Sequence, residues 1–433
     1  MFAPSLCLSN RFSQGVIWNI VGAFFTQGSV FLTTIILARI LGKDQFGEFG
    51  MIQSTLLTLT SMAQVATGIT ATKFVAEFRD VDKVQAGRML GLCSILTFIT
   101  GTLGSGFLMI SAPWLAEHVL KAPHLSSGLL ISAAYVLFSV MTGYQIGALA
   151  GLESYKRISL FGTVLGSAHI IICVGLTVLW GINGGLAGLA VSALLRWGVY
   201  AAVLRGEVTK QGIKVRRREG IREGGRAFEF ALPAALSGIT ALPSVWLANA
   251  LLVRQPNGYS EMGIFTAVNN LRIIVLFLPV LLNGVSSSIL NNHKGNGDLN
   301  AYKTTYIFNL KAATISATLG AAFLCALGQS VVHLFGKDFV GPSITPILFL
   351  VAASVILEAV GYAAYQLITC NGLMWVSLCL VVLPRDFSLI AAAYYLIPKH
   401  GAAGLAGAYT LSWLLMFGTV VAIIHKLNLY DRA

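Results

Sequence analysis

The sequence predicts an all-α integral membrane protein of about twelve membrane-spanning helices in two related halves. Three observations predict it. Of the 433 residues, 56% are hydrophobic and 11% charged, whereas an ordinary soluble domain is about 25% charged. The apolar residues come in blocks of about 20, the length a helix needs to cross about 30 Å of hydrocarbon. The chain also repeats itself at an offset of roughly half its length.

The blocks run 13–37, 48–72, 89–112, 126–150, 158–180, 184–205, 228–253, 262–290, 306–331, 343–370, 373–397 and 402–424. The first ten residues lack the charged start and cleavage site of a secretory leader, so the first span is expected to persist. With the N-terminus in the cytoplasm, about 20 Lys and Arg fall on the cytoplasmic side, about 6 outside and about 3 within spans. That bias is expected to place both termini of a multi-pass membrane protein in the cytoplasm. The densest basic patch, Arg205 to Arg226, holds Lys210, Lys214, Arg216, Arg217, Arg218 and Arg222. No aromatic residue precedes Phe228 to stack on bases. The net charge of +12 therefore points to anionic membrane lipid and not to nucleic acid. Cys7, Cys93, Cys173, Cys325, Cys370 and Cys379 show no metal-ligand spacing, so neither a metal nor a cofactor is expected.

The repeat shows in three places. DQFGEFG at 44–50 matches SEMGIFT at 260–266, with Gly47 on Gly263 at an offset of 216. GLAGLAVSAL at 185–194 matches GLAGAYTLSW at 404–413 at an offset of 219, and Trp114–Leu115 falls on His333–Leu334 at that same offset. An even number of spans separates the partners, so the repeat is parallel, about an axis along the membrane normal. The expected division is an N-terminal six-helix bundle at 1–205, a basic cytoplasmic linker at 206–227 and a C-terminal six-helix bundle at 228–433. Gly184, Gly185, Gly188, Gly401, Gly404 and Gly407 read as small faces for close helix approach. No Gly-Lys-Ser or Gly-Lys-Thr follows them, as a phosphate-cradling loop requires.

Missing chemistry narrows the class. Without a P-loop or a segment of ATPase size, the driving force comes from a gradient or from the substrate. The longest outer loop, Pro113 to Leu125, holds Glu117, His118, Lys121 and His124. That is an ordinary set for a short solvated connection, so an enzyme is not expected.

Polar residues inside the spans are more informative, because charge at that depth is costly and faces protein or water. Spans one, two, seven and eight hold no acidic residue away from their ends, with Glu48, Glu229 and Glu261 at boundaries. Arg272 lies about three turns into span eight, with Asn269 and Asn270 before it and Pro279 after it. Span one offers Asn19 and Gln27, and span two leads to Lys73. A neutral to cationic surface suits an anionic ligand and disfavours a cationic drug. Arg196, Lys311, Glu358, Arg385 and Asp386 are the remaining intramembrane charges. Lys311 reads as a snorkelling residue. Arg385 and Asp386 are adjacent, so they are expected on different sides of a helix, after a kink or break at Pro384. Glu358 stands alone among Val, Ile, Leu and Ala, as a proton carrier or a partner in an interhelical hydrogen bond. Asp386 and His169 join it as coupling candidates.

A resemblance follows from the motifs. LARILGKDQFGEFGMI at 37–52 resembles the signature ending the first span in bacterial polysaccharide-export flippases of the O-antigen type. These belong to the multidrug, oligosaccharidyl-lipid and polysaccharide exporter superfamily. The matching residues are Arg39, Leu41, Gly42, Asp44, Phe46, Gly47 and Phe49. HLFGKDFVGPSITPILFL at 333–350 resembles the Leu-Phe-Gly stretch opening span ten, and GLESYKR at 151–157 the end of span four. The resemblance implies two six-helix bundles around a central cavity that opens alternately to each side. It implies an undecaprenyl-diphosphate-linked oligosaccharide as cargo, such as a repeat unit for lipopolysaccharide biosynthesis, moved from cytoplasmic to periplasmic leaflet. H+ or Na+ coupling and work beside polysaccharide polymerase or chain-length proteins go with it. Asn269 to Arg272 also resembles the Asn-Arg of related lipid II flippases, with Leu271 inserted between. The candidate substrate residues are Arg272, Asn269, Lys73, Arg196, Gln27 and Asn19. The alternatives are a multidrug cation exporter, a lipid II-type flippase and a membrane glycosyltransferase.

Overall fold

The computed structural model describes residues 4–64, 66–220, 225, 240–295, 297–341 and 344–427, with side chains from Gly22 onward apart from Ser288. The described residues are nearly all helical: α1 (Pro4–Gln64), α2 (Thr67–Phe78), α3 (Lys83–Trp114), α4 (Ser126–Gly151), α5 (Tyr155–Lys210), α6 (Arg217–Gly220), α7 (Ala241–Val253), α8 (Gly258–Gly295), α9 (Leu299–Val332), α10 (Ile344–Cys370), α11 (Met374–Val376) and α12 (Leu383–Lys426). Eight helical stretches among the described residues are long and apolar enough to cross a membrane. Three of them break in the middle. Gly42 interrupts α1, Trp180 and Gly181 interrupt α5, and Gly401 interrupts α12. Each broken stretch supplies two crossings, which gives eleven, and α7 is the described part of the expected seventh span, whose earlier residues lie outside the description.

The breaks follow from glycine chemistry. Gly42, Gly181 and Gly401 have φ of 73°, 58° and 53°, a left-handed region that a Cβ disfavours. The expected span edges at 180/184 and 397/402 therefore fall where the backbone turns. Span two differs from expectation. It starts directly after Gly42 and is jointed at Ala66, whose φ is 54°, before α2 completes it.

The chain forms two compact units. Unit 1 comprises Met1–Ile40 and Ile52–Ile239, and unit 2 comprises Leu41–Met51 and Thr240–Ala433. The DQFGEFG motif thus packs in unit 2. A Cβ on Gly47 would sit 1.9 Å from the Tyr259 carbonyl oxygen, and one on Gly263 would sit 2.2 Å from that of Lys43. Only glycine permits that backbone approach. Phe46, fully buried, meets Phe335 and Phe339 with centroids 6.2 and 5.8 Å away, so the first and second family-like motifs touch.

The internal repeat is visible in the caps. Asp82 accepts from the Val84 and Gln85 amides at the start of α3, and Asp298 accepts from the Ala301 amide at the start of α9, 216 residues on. In α5 and α12 the register is 220, one residue more than the sequence match gives. Gly184 presses on the Leu176 carbonyl and Gly404 on that of Leu396. Both contacts fold the second half of a broken helix back against its first half.

Candidate functional site

Helices α8 and α10 each carry an ionisable residue near mid-length. Arg272 and Glu358 both lie fourteen residues past the first residue of their helix, about 21 Å along at 1.5 Å per residue. The side chains meet within unit 2. Arg272 Nη2 donates to Glu358 Oε2, and Nη1 donates to Asn269 Oδ1 at 3.1 Å. Asn269 reaches it from one turn earlier, whereas Asn270 donates to the Thr266 carbonyl at 2.8 Å. The Arg272 guanidinium carbon also lies 5.4 Å from the Tyr409 ring centroid on α12. Its Nε is buried without a hydrogen-bond partner.

A second pair stands beside it in unit 2. Arg385 donates to Asp386 Oδ1 from Nε at 2.8 Å and from Nη2 at 2.5 Å, with Trp413 5.0 Å from its guanidinium carbon. The other Asp386 carboxylate oxygen is buried without a partner. An unpaired charge at mid-membrane costs about 2.5–3.5 kcal/mol on an insertion scale, and pairing with aromatic cover offsets that cost. Opposed charges at matched depth, one unused donor and one unused acceptor make an arrangement suited to exchanging one anion for another.

The polysaccharide biosynthesis protein family model matches residues 12–288, more than half of the chain. The chain belongs to that family. Over 423 residues it is 21% identical to the EPS I polysaccharide export inner membrane protein EpsE of Ralstonia nicotianae, covering 96% of this chain and 94% of the relative. The Ralstonia solanacearum protein of the same name is 22% identical over 420 residues, covering 94% and 93%. Among solved structures, the chain is similar to an inward-facing multidrug resistance MATE family transporter of the MOP superfamily. The TM-score is 0.77 at 16% identity, with 95% of this chain and 99% of that one covered. A MOP superfamily transporter from Pyrococcus furiosus gives 0.71 at 15% identity, with 96% of each covered. At such identities the likeness is one of fold, and the fold of this polysaccharide biosynthesis protein is that of the MOP transporters.

Two sequence expectations are corrected in this family member. Glu358 is not alone, because it is the partner of Arg272. The cationic surface expected of span eight is therefore neutralised at that residue. Arg385 and Asp386 do not separate, since the long guanidinium arm folds back along the helix onto its neighbour. The helix does not end at Pro384, and the disturbance expected there shows as the π-helical turn Ser377–Val382 directly before it, where the regular hydrogen-bond ladder is interrupted.

The remaining candidates are scattered. In unit 1, His169 is buried against Cys173, with Nδ1 3.5 Å from Sγ, and Cys173 lies 3.9 Å from the Ser192 hydroxyl. Arg196 is half-buried one turn beyond Ser192. Lys73 is exposed on α2 with its ammonium 5.0 Å from the Phe74 ring centroid, and Gln27 is exposed on α1. The Asn19 side chain lies outside the described residues. Sequence reasoning missed Tyr409 and Trp413, the aromatics that cover the two guanidiniums. Their signal was spacing: both fall on the buried face of GLAGAYTLSW that the repeat marks out.

Proposed function

We propose that this protein is a flippase that moves an undecaprenyl-diphosphate-linked oligosaccharide, an O-antigen or similar repeat unit, from the cytoplasmic to the periplasmic leaflet by alternating access. It is a transporter of the inner membrane and not an enzyme, with both termini and the 206–227 linker cytoplasmic. The observation that supports the reading is the Arg272–Glu358 pair at mid-helix in a member of a polysaccharide family. A guanidinium stays charged when partly desolvated, and its planar fork matches phosphate oxygens. The lipid tail stays in hydrocarbon while the diphosphate meets that fork, which avoids burying bare phosphate. Asn269 adds a neutral donor. Lys73, Arg196, Gln27 and Asn19 are the further substrate candidates.

Glu358 is then the built-in competitor. When diphosphate takes Arg272, a carboxylate left without its cation is costly at that depth, and proton uptake removes the cost. Substrate exchange and H+ are linked by that step, with Asp386 and His169 as further coupling groups. The test is surface-polysaccharide export in a deletion strain complemented with variants at matched protein levels. Arg272→Lys should keep partial export. Arg272→Gln should lose more than tenfold, since a hydrogen bond to a charged group contributes about 1.5–3 kcal/mol. Wild-type export from Arg272→Ala would place the site elsewhere, with Lys73 and Arg196 the next candidates.

A further inference from the structure

The segment after α5 is held in place by a groove on α3. Gly212, with φ of 68°, turns the chain out of α5, and Ile213 plugs into the unit 1 core beside Ala86 and Leu90. The Arg216 amide then donates to the Gly87 carbonyl at 3.0 Å. The groove exists because of two glycines. A Cβ on Gly87 would lie 2.1 Å from the Lys214 carbonyl oxygen, and one on Gly91 would lie 2.6 Å from that of Arg216. Gly220 closes the strap against the Arg88 carbonyl, 2.3 Å from where its own Cβ would be. Glu219 locks it, accepting from Arg216 Nη1 at 2.9 Å and from Arg88 Nε at 3.1 Å.

That lock consumes Arg216 and Arg88 and leaves Lys214, Arg217 and Arg218 exposed, beside the exposed apolar Val215. Lys83 approaches the same strap at Gly212. The level is set by α3, whose 32 residues reach about 48 Å at 1.5 Å per residue, against about 30 Å of hydrocarbon. Gly87 and Gly91 lie in its first three turns, so the strap sits at the headgroup layer. A loop whose only task was solubility would need no glycine groove, no buried Ile213 and no carboxylate lock.

We propose that the strap is a phosphate-headgroup site at the membrane surface, with Arg217 and Arg218 as its principal ligands and Lys214 and Lys83 in support. It rests on the cytoplasmic placement of the linker proposed above. The chemistry is that of a lipid phosphate or diphosphate, supplied either by the lipid-linked cargo awaiting entry or by an anionic phospholipid. Guanidinium forks held at a fixed height bind such groups bidentately, and Val215 adds contact with the acyl region.

The test uses the full chain, purified in neutral detergent and carrying Arg272→Gln to silence the mid-helix site. Binding of farnesyl diphosphate and of phosphatidylglycerol is measured separately, with phosphatidylcholine as the uncharged-net control. Adding Arg217→Gln and Arg218→Gln should weaken binding about thirtyfold, at the value of a basic residue near a lipid surface. Loss confined to farnesyl diphosphate identifies cargo loading, and loss of phosphatidylglycerol binding identifies a bulk-lipid anchor. Glu219→Gln, which unlocks the strap and keeps both arginines, should weaken binding severalfold. Unchanged affinity for both probes in the double arginine variant overturns the site. The flippase reading is scored apart from this, because export by the Arg272 variants does not enter the binding measurement.

Discussion

Helices α5 and α12 share one backbone plan and carry opposite chemistry. Both break at a glycine in nearly one conformation, Gly181 at φ 58°, ψ −139° and Gly401 at φ 53°, ψ −128°. At an offset of 220, the buried Leu165, Gly166, His169, Cys173 and Thr177 correspond to the buried Arg385, Asp386, Leu389, Ala393 and Ile397. Past the break, Leu189, Ser192 and Ala193 correspond to Tyr409, Ser412 and Trp413, buried alike. The repeat therefore sets which positions are buried, and each unit writes its own chemistry onto them. Unit 2 places an ion pair where unit 1 has Leu165 and Gly166, and it places Tyr409 and Trp413 under two guanidiniums.

The largest expected effect comes from breaking that ion pair on one side. Asp386→Ala leaves Arg385 buried without its carboxylate, at a cost of about 3–5 kcal/mol, and the yield and melting temperature of purified protein should fall steeply. Arg385→Leu with Asp386→Gly writes the residues of unit 1 into unit 2. Apolar replacement of a buried pair is often neutral or stabilising, so this double variant should melt near wild type. A double variant as unstable as the single one would show that the two sites are not equivalent environments. Export by the stable double variant then reads whether the pair couples transport or only packs.

A smaller effect, and a sharper test of register, comes from the close-approach glycines. A Cβ at Gly184 would lie 1.8 Å from a backbone oxygen, and one at Gly404 would lie 2.4 Å from its counterpart. Backbone cannot yield as a side-chain tip does, so Gly184→Ala and Gly404→Ala should each cost about 1–3 kcal/mol as overpacked sites. Thermal unfolding should rank Gly184→Ala as the worse of the two, and tolerance of either would break the 220 register.

Much of this architecture is legible in the sequence. Apolar block length gives the spans, and the GLAG match gives the repeat, displaced by one residue because a run of small residues aligns almost as well when shifted. The site is less legible. Arg272 and Glu358 stand 86 residues apart on separate spans, and only the matched depth of each in its helix links them. Adjacency misleads for Arg385 and Asp386, since helical periodicity positions Cβ atoms while a long guanidinium can bend back past its own turn. The strap is legible only in hindsight, because Gly87 and Gly91 look like any other small residues until backbone is laid across them.

The smallest effect concerns that strap, where the two units differ most plainly. At the offset of 216 that aligns Asp82 with Asp298, Gly87 and Gly91 correspond to Lys303 and Ile307, whose side chains would fill the groove, so the repeat gives unit 2 no matching bed. The lock on it is electrostatic. Hydrogen bonds from the Arg216 guanidinium, and then from Arg88, hold the Glu219 carboxyl below its ordinary range. A carboxyl with a lowered folded value adds stability that is complete above its unfolded value of 4.5 and is lost as pH falls through the folded one. Amide exchange at Arg216 and Gly220, whose N–H groups bond to Gly87 and Arg216 carbonyls, should therefore be slow and governed by the strap at neutral pH. Below pH 4.5 the protection should decline as Glu219 takes up a proton, after correction for the intrinsic pH dependence of exchange. Glu219→Gln should remove the pH step and leave a constant, lower protection, with the α9 amides near the repeat-related Lys303 serving as the comparison. A pH step that survives in Glu219→Gln would assign the lock to another acid and leave the glycine groove as the whole of the attachment.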